Sequence, residues 1–184
     1  MPKAEHITAP TQYATSADFR QIFHDEMGGL YLLSFLLTAD REKAEQCFVS
    51  GIEDSIKGNP VFKEWARSWA RRVIIQNAIR VIMPRRMEKT APSISDSGSN
   101  PLAAEQAEIA LVLALEPFER FVYVMSVLER YSDHDCSMLL GCARREVMAT
   151  RIRAVQQIGS TMRFRLTQQL HVASEKPELQ FAPF

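Results

Sequence analysis

The chain has 184 residues, of which 46% are hydrophobic and 24% charged, with 22 basic side chains balanced by 22 acidic ones. This is the composition of an ordinary soluble protein with room for one large or two small domains, and it excludes a disordered or membrane-spanning class. A formal net charge of zero means that any contact with nucleic acid must come from local segregation of charge.

No apolar run reaches the roughly 18 residues a membrane helix needs, and the N-terminus MPKAEHITAPTQYATS lacks a signal-peptide core. A cytoplasmic protein without membrane insertion is expected. Cys47, Cys136 and Cys142 have no metal-ligand spacing and are expected as reduced, half-buried thiols. Neither His24-Asp25-Glu26 nor Asp133-His134-Asp135 reads as an acid–base or metal cluster. Both suit polar helix faces, and acids in a first turn favour the helix dipole. With no glycine-rich phosphate loop either, no cofactor and no catalysis are expected.

Residues 1–15 show no periodicity and are expected to form a tail. Phe19, Ile22, Phe23 and Met27 then recur at helical spacing, and Gly28-Gly29 interrupts them. Leu30–Leu37 (LYLLSFLL) is apolar almost all round, which predicts a buried core helix. Over Arg41–Ile56 the residues Ala44, Cys47, Phe48, Ile52 and Ile56 share one stripe opposite a charged face. Gly58-Asn59-Pro60 closes that helix.

Val61–Ile82 places Phe62, Trp65, Trp69 and Val73 at spacings of three and four, and carries Lys63, Arg67, Arg71, Arg72 and Arg80 against Glu64. The preceding stretch is acidic, with Asp18, Asp25, Glu26, Asp40, Glu42, Glu45, Glu53 and Asp54 against Arg20, Arg41 and Lys43. The neutral total therefore hides a basic helix, and one with two tryptophans could serve phosphate contact and base stacking. Both tryptophans also lie on the apolar stripe, where a core position is the simpler reading. It is preferred for Trp65 and left open for Trp69.

Residues 84–101 (PRRMEKTAPSISDSGSNP) are rich in Pro, Ser and Gly and predict a flexible linker. Leu102–Ala114 follows as a helix. Pro117 then opens another whose stripe is Phe118, Phe121, Val122, Met125 and Leu128. Ser132–Ile158 reads as a short helix, a glycine turn and a longer helix. Ser132 and Asp135 suit a capping box, and Gly141 suits a left-handed helix end. The second helix carries Arg144, Arg145, Arg151 and Arg153 against Glu146, a pattern that could place guanidiniums on phosphates and guanine edges in a major groove. A plain helical bundle with a solvated basic face would show the same residues. Met162, Phe164 and Leu166 could prolong that helix, and residues 171–184 are expected as a second tail.

The expected fold is all-α, with helical domains at 16–83 and 102–170 joined by the linker. In this order the segments resemble the extracytoplasmic-function (ECF) group of bacterial RNA polymerase sigma factors. The resemblance rests on Leu30-Tyr31-Leu32-Leu33-Ser34, Asp40 to Gln46 (DREKAEQ), Phe62-Lys63-Glu64-Trp65-Ala66 and Trp69-Ala70-Arg71-Arg72 in the first half. In the second half it rests on Leu115 to Arg120 (LEPFER), Ser132 to Gly141, and Val147 with Arg153-Ala154.

The resemblance implies a promoter-recognition subunit that does no chemistry and works by placing two DNA-binding surfaces. The 41–56 helix would dock on core RNA polymerase through Glu45, Gln46 and Val49. The 61–82 helix would meet the −10 element through Lys63, Arg67, Arg71 and Arg72, and the Arg144–Ile158 helix would read the −35 element through Arg144, Arg145, Arg151 and Arg153. An anti-sigma factor is a further implied partner.

This chain departs from the family at Gln46 (usually Asp), Val49 (Gln), Arg72 (Asn) and Gln76 (Asp). The family register of the last helix buries Val147, position 151, Ala154 and Ile158. A rotated stripe of Met148, Ile152 and Val155 would leave Arg151 facing solvent, while Arg153 points outward in either register. Two other functions follow from the same residues: a degenerate sigma-like protein that binds partners without supporting initiation, and a helix-turn-helix repressor that binds DNA alone.

Overall fold

The computed structural model describes residues 12–84 and 103–174. Within them the chain is all-α: α1 (Ser16–Asp25), α2 (Met27–Thr38), α3 (Arg41–Lys57), α4 (Ala66–Ile82), α5 (Ala103–Leu113), α6 (Pro117–Tyr123), α7 (Asp133–Leu140) and α8 (Arg144–Ser174). The linker and most of both expected tails lie outside the described residues. Tyr13–Thr15 do have defined places. Tyr13 pairs antiparallel with Phe62 and stacks on its ring at 4.8 Å. Thr15 and Asp18 form a full capping box at the start of α1.

α2 is the hub, because its sequence is apolar on nearly every face. Leu30, Leu33, Leu36 and Leu37 are buried; the helix packs on α3 and α4 and also on α5 and α6. Ser34 and Thr38, buried beside them, donate their hydroxyls to the carbonyls of Leu30 and Ser34, so neither leaves an unpaired polar group in the core. The interruption before α2 falls at Glu26. Gly28 and Gly29 lie inside the first turn of the helix.

Gly51 lets α3 and α4 approach. A Cβ there would stand 2.5 Å from the buried Ile74 Cδ1, too close for unshifted packing. At the other end of α3, Asp40 caps the helix through the Lys43 amide.

Residues of the first four helices and of the last four share one continuous buried cluster, running from Phe23, Leu37 and Ile74 to Val122, Met125 and Val147. Arg120, only 5% exposed, bridges the two groups. Its guanidinium donates to the carbonyls of Leu37, Leu113 and Leu115 at 3.3, 3.3 and 3.0 Å. A buried cation thereby meets carbonyls left over at the ends of α2 and α5, the groups that carry the negative end of a helix dipole. Burial holds its pKa below the usual arginine value.

The helix after Pro117 widens into a π-helical turn at Val124–Leu128, with Glu129 N–H bonded to Val124 C=O. The extra residue in the turn shifts the apolar phase. Phe118, Phe121, Val122 and Met125 are buried as their spacing predicts, but Leu128 is 44% exposed. Arg130, in the left-handed region at φ 58°, ends the segment.

Candidate nucleic-acid interface

Ser132 caps α7 by accepting the Asp135 amide at 3.1 Å, and its hydroxyl bonds the Asp135 carboxylate. The reciprocal bond of a capping box goes from the serine side chain here, not from its backbone. Gly141 closes α7 at φ 64°, a conformation an L side chain reaches only with strain. Ala143 N–H donates to Glu146 at 2.9 Å, capping the start of α8. These local bonds set the angle at which α8 leaves the turn.

α8 packs in the unrotated register. Val147, Ala154 and Ile158 are buried, with Thr150 between them, whereas Met148, Ile152 and Val155 are 48%, 53% and 46% exposed. Arg151 therefore sits at the edge of the buried face, where it pairs with the two carboxylate oxygens of Asp133. Arg153 projects outward as expected, yet its Nε reaches Glu119 at 3.3 Å and its Nη2 reaches Thr150 Oγ1 at 3.0 Å. Arg144 and Arg145 in the first turn are exposed and have no carboxylate partner among the described residues.

On the first group, α4 begins after a 3-10 turn at Lys63–Trp65. That turn breaks the helical phase, so Trp65 is 57% exposed instead of joining the core as its spacing predicts. Its ring meets Phe62 edge-on at 5.1 Å. Trp69 is half-buried, and its indole N–H is sealed without a partner among the described residues.

The basic side chains of α4 and of the turn before it are largely engaged in ion pairs. Lys63 lies 3.5 Å from Asp18, and Arg67 donates to Glu26 at 2.8 Å. Arg71 reaches Glu26 at 3.4 Å and Glu129 at 2.7 and 2.9 Å. Arg72, half-buried, has no carboxylate partner among the described residues. Between α4 and the segment before α7 runs a groove of about 770 Å³, lined in part by Phe62, Trp65, Trp69, Arg72, Arg130 and Tyr131.

The residues expected to meet polymerase lie together on the outer face of α3. Glu45, Gln46 and Val49 are all exposed, Val49 by 54%, and Glu45 pairs with Arg41 at 3.5 Å. The expectation for the cysteines needs correction at two positions. Cys47 and Cys136 are fully buried and only Cys142 is half-buried; all three are free thiols. Burial pushes Cys47 and Cys136 up to about 11.

Among the described residues no cluster of His, Cys, Asp and Glu could hold a metal ion, and no helix is long and apolar enough to cross a membrane. Sequence reasoning missed Arg120 and Glu129 as structural anchors. The partners through which they join the two helical groups, Leu37 for Arg120 and Arg71 for Glu129, are far away in the chain, so no local pattern could have identified that role.

No family model matches the chain, and neither does any curated protein. Among solved structures it is similar to the sigma factor RpoE of Bartonella quintana in its complex with the anti-sigma factor NepR. The identity is 18% and the TM-score 0.47, over 79% of this chain and 97% of that one.

Proposed function

We propose that this chain is an ECF-like sigma factor, directing RNA polymerase to promoters for transcription initiation. The observation that carries the reading is the start of α8. Two exposed arginines, Arg144 and Arg145, stand in the first turn of a helix whose entry is set by Gly141 and the Ser132 cap. A helix N-terminus with unpaired guanidiniums suits phosphate and guanine contacts in a major groove. In this reading those residues face the −35 element, and Lys63, Arg67, Arg71 and Arg72 face the −10 element. Glu45, Gln46 and Val49 meet core polymerase, and residues 16–83 and 102–170 act as the two DNA-placing units.

For α4 to engage DNA, Arg71 would exchange Glu129 for phosphate, so productive binding would separate the two helical groups. Polymerase would supply the spacing, and neither surface need bind tightly alone.

The test is transcription from a promoter library by core polymerase, with and without the protein. Transcripts that start downstream of a shared motif support the reading.

A second reading has its own support. Arg151 and Arg153 are held by Asp133 and Glu119, which leaves half of the expected −35 set occupied. A sigma-like protein that binds an anti-sigma factor or another partner without initiating would retain such pairs. Stable binding to core polymerase without transcripts selects this second reading, and failure to bind core polymerase removes the first.

A further inference from the structure

The groove between α4 and the segment before α7 has a size and a chemistry that helix packing does not require. Its volume of about 770 Å³ lies in the range of roughly 300–1,000 Å³ that suits small-molecule sites. One wall comes from residues 60–72 and the other from residues 129–135, so both groups of helices build it.

The aromatic part of the groove is set in advance. Trp65, 57% exposed, is held edge-on by Phe62, and Phe62 stacks in turn on Tyr13. Behind them the backbone is pinned, because Ala14 N–H donates to Val61 C=O at 2.7 Å and Lys63 N–H to Gln12 C=O at 3.1 Å. Trp69 adds a second indole to the same wall. Rings fixed in this way lose little freedom when a ligand settles against them.

The polar part holds donors that lack acceptors. Among the described residues, the guanidiniums of Arg72 and Arg130 and the hydroxyl of Tyr131 have no hydrogen-bond partner, although all three residues line the groove. Burial raises the Tyr131 pKa, which keeps its hydroxyl protonated and able to donate at neutral pH. The carboxylates of the groove are already engaged, Glu129 by Arg71 and Asp135 by the Ser132 hydroxyl. The charge left over is therefore positive. Arg130 is also held at φ 58°, where glycine or asparagine would sit with less strain, and strained residues of this kind cluster at ligand sites.

We propose that this groove binds a small aromatic carboxylate, its ring against Trp65 and Phe62 and its carboxylate accepting from Arg72, Arg130 and Tyr131. Guanidinium–carboxylate bonds are charge-assisted and can be two-pronged, and offset or edge-on ring contacts add to the area that is buried. A nucleic-acid strand fits the groove less well. Both walls are present only while the two groups of helices are packed, with Arg71 and Glu129 joined in the lining, whereas DNA engagement through α4 would separate them. A ligand seated between the walls braces one group against the other and stabilises the packed chain by mass action. The site shares Arg72 with the proposed −10 set, but its existence does not rest on the sigma reading.

The test titrates the full chain with benzoate, cinnamate and naphthoate, each beside its neutral amide. Both tryptophans of the chain line the groove, so isotope-labelled indole N–H signals in NMR report occupancy directly. At least one carboxylate is expected to shift both signals saturably, to bind at least about tenfold tighter than its amide, and to raise the melting temperature. Arg72→Gln and Arg130→Gly are each expected to weaken it by at least about tenfold. Arg80→Gln, on α4 but outside the groove, should leave the affinity unchanged. Arg130→Gly removes the guanidinium and the backbone strain together, so it should melt no lower than the parent while losing the ligand, a combination that a purely structural arginine would not give.

The absence of saturable shifts with all three carboxylates overturns the proposal. So does equal affinity for carboxylate and amide, or binding that is indifferent to both arginine substitutions. A mixed-sequence single-stranded oligonucleotide that shifts the same indole signals at lower concentration than every carboxylate also overturns it, by assigning the groove to nucleic acid. Promoter-dependent transcripts without carboxylate binding would leave the sigma reading standing and remove this one; carboxylate binding without transcripts would do the reverse.

Discussion

Arg71 and Glu129, 58 positions apart, meet in a two-pronged ion pair that joins the N-terminal group of helices to the C-terminal one. Nε donates to Oε2 at 2.7 Å and Nη2 to Oε1 at 2.9 Å, and the π-helical turn before Glu129 delivers the carboxylate. Both side chains are largely shielded, at 34% and 12% exposed, so the pair is screened less than a surface one. Glu129→Gln keeps the shape and removes the charge. It is expected to cost about 1–3 kcal/mol in urea unfolding and to raise hydrogen exchange in both Val124–Leu128 and the first turns of α4. Unchanged exchange in both segments would show that the pair does not hold the groups together.

Among the described residues Arg120 has no carboxylate hydrogen-bond partner and donates instead to three carbonyls. Arg120→Met preserves much of the volume but leaves those carbonyls without the guanidinium, with an expected loss of about 1–3 kcal/mol for each one that stays unsatisfied. Arg120→Lys should recover only part of that loss, because an ammonium cannot reproduce the planar fork. Chemical denaturation of the three proteins side by side checks this, and full recovery by lysine would show that charge alone is needed.

Gly141 and Gly51 are required for different reasons. At Gly141 a Cβ would meet nothing within 4 Å, but φ is +64°, so Gly141→Ala is expected to cost about 1–2 kcal/mol through backbone strain. At Gly51 the obstacle is Ile74. Gly51→Ala should cost about 1–3 kcal/mol by overpacking, and Ile74→Val, which removes the Cδ1 methyl, should relieve part of it in the double variant. Thermal unfolding of the single and double variants measures the coupling; strict additivity at Gly51 and Ile74 would refute the steric explanation.

The arginines of α8 should separate in DNA binding. Arg144→Ala and Arg145→Ala are each expected to reduce the slope of log affinity against log salt by about 1. Arg153→Ala should change it less, because that guanidinium already serves Glu119 and Thr150. Fluorescence anisotropy over a salt series distinguishes them. An Arg153→Ala effect as large as that of Arg144→Ala would mean that the Glu119 pair opens on DNA.

Cys47 and Cys136 predict a pH dependence. Their folded-state pKa values are raised from 9.0 to about 11 by burial, so unfolded thiols ionise first. The stability this represents is fully present below pH 9 and is lost as pH rises toward about 11. A Cys47→Ala, Cys136→Ala double variant should show a shallower decline than the parent over that range. In the parent at neutral pH, iodoacetamide should label Cys142 well before the other two.

Much of the architecture was legible from sequence because it is governed by local bonds and periodicity. The apolar run in α2, the Ser132 cap, the Gly141 turn and Pro117 at the start of α6 each act over a few residues, and each folds as those residues dictate. Trp65 and Leu128 departed from their spacing because a 3-10 turn and a π-helical turn shifted the helical phase, and single-residue patterns do not encode such shifts. The choice between the Val147 and Met148 stripes of α8 was open in the sequence, since both are apolar; packing against α6 buried the first. The tertiary structure alone decided which basic side chains are paired and that the two helical groups share buried surface, because Arg71 with Glu129 and Arg120 with Leu37 are contacts between segments that only the folded chain brings together.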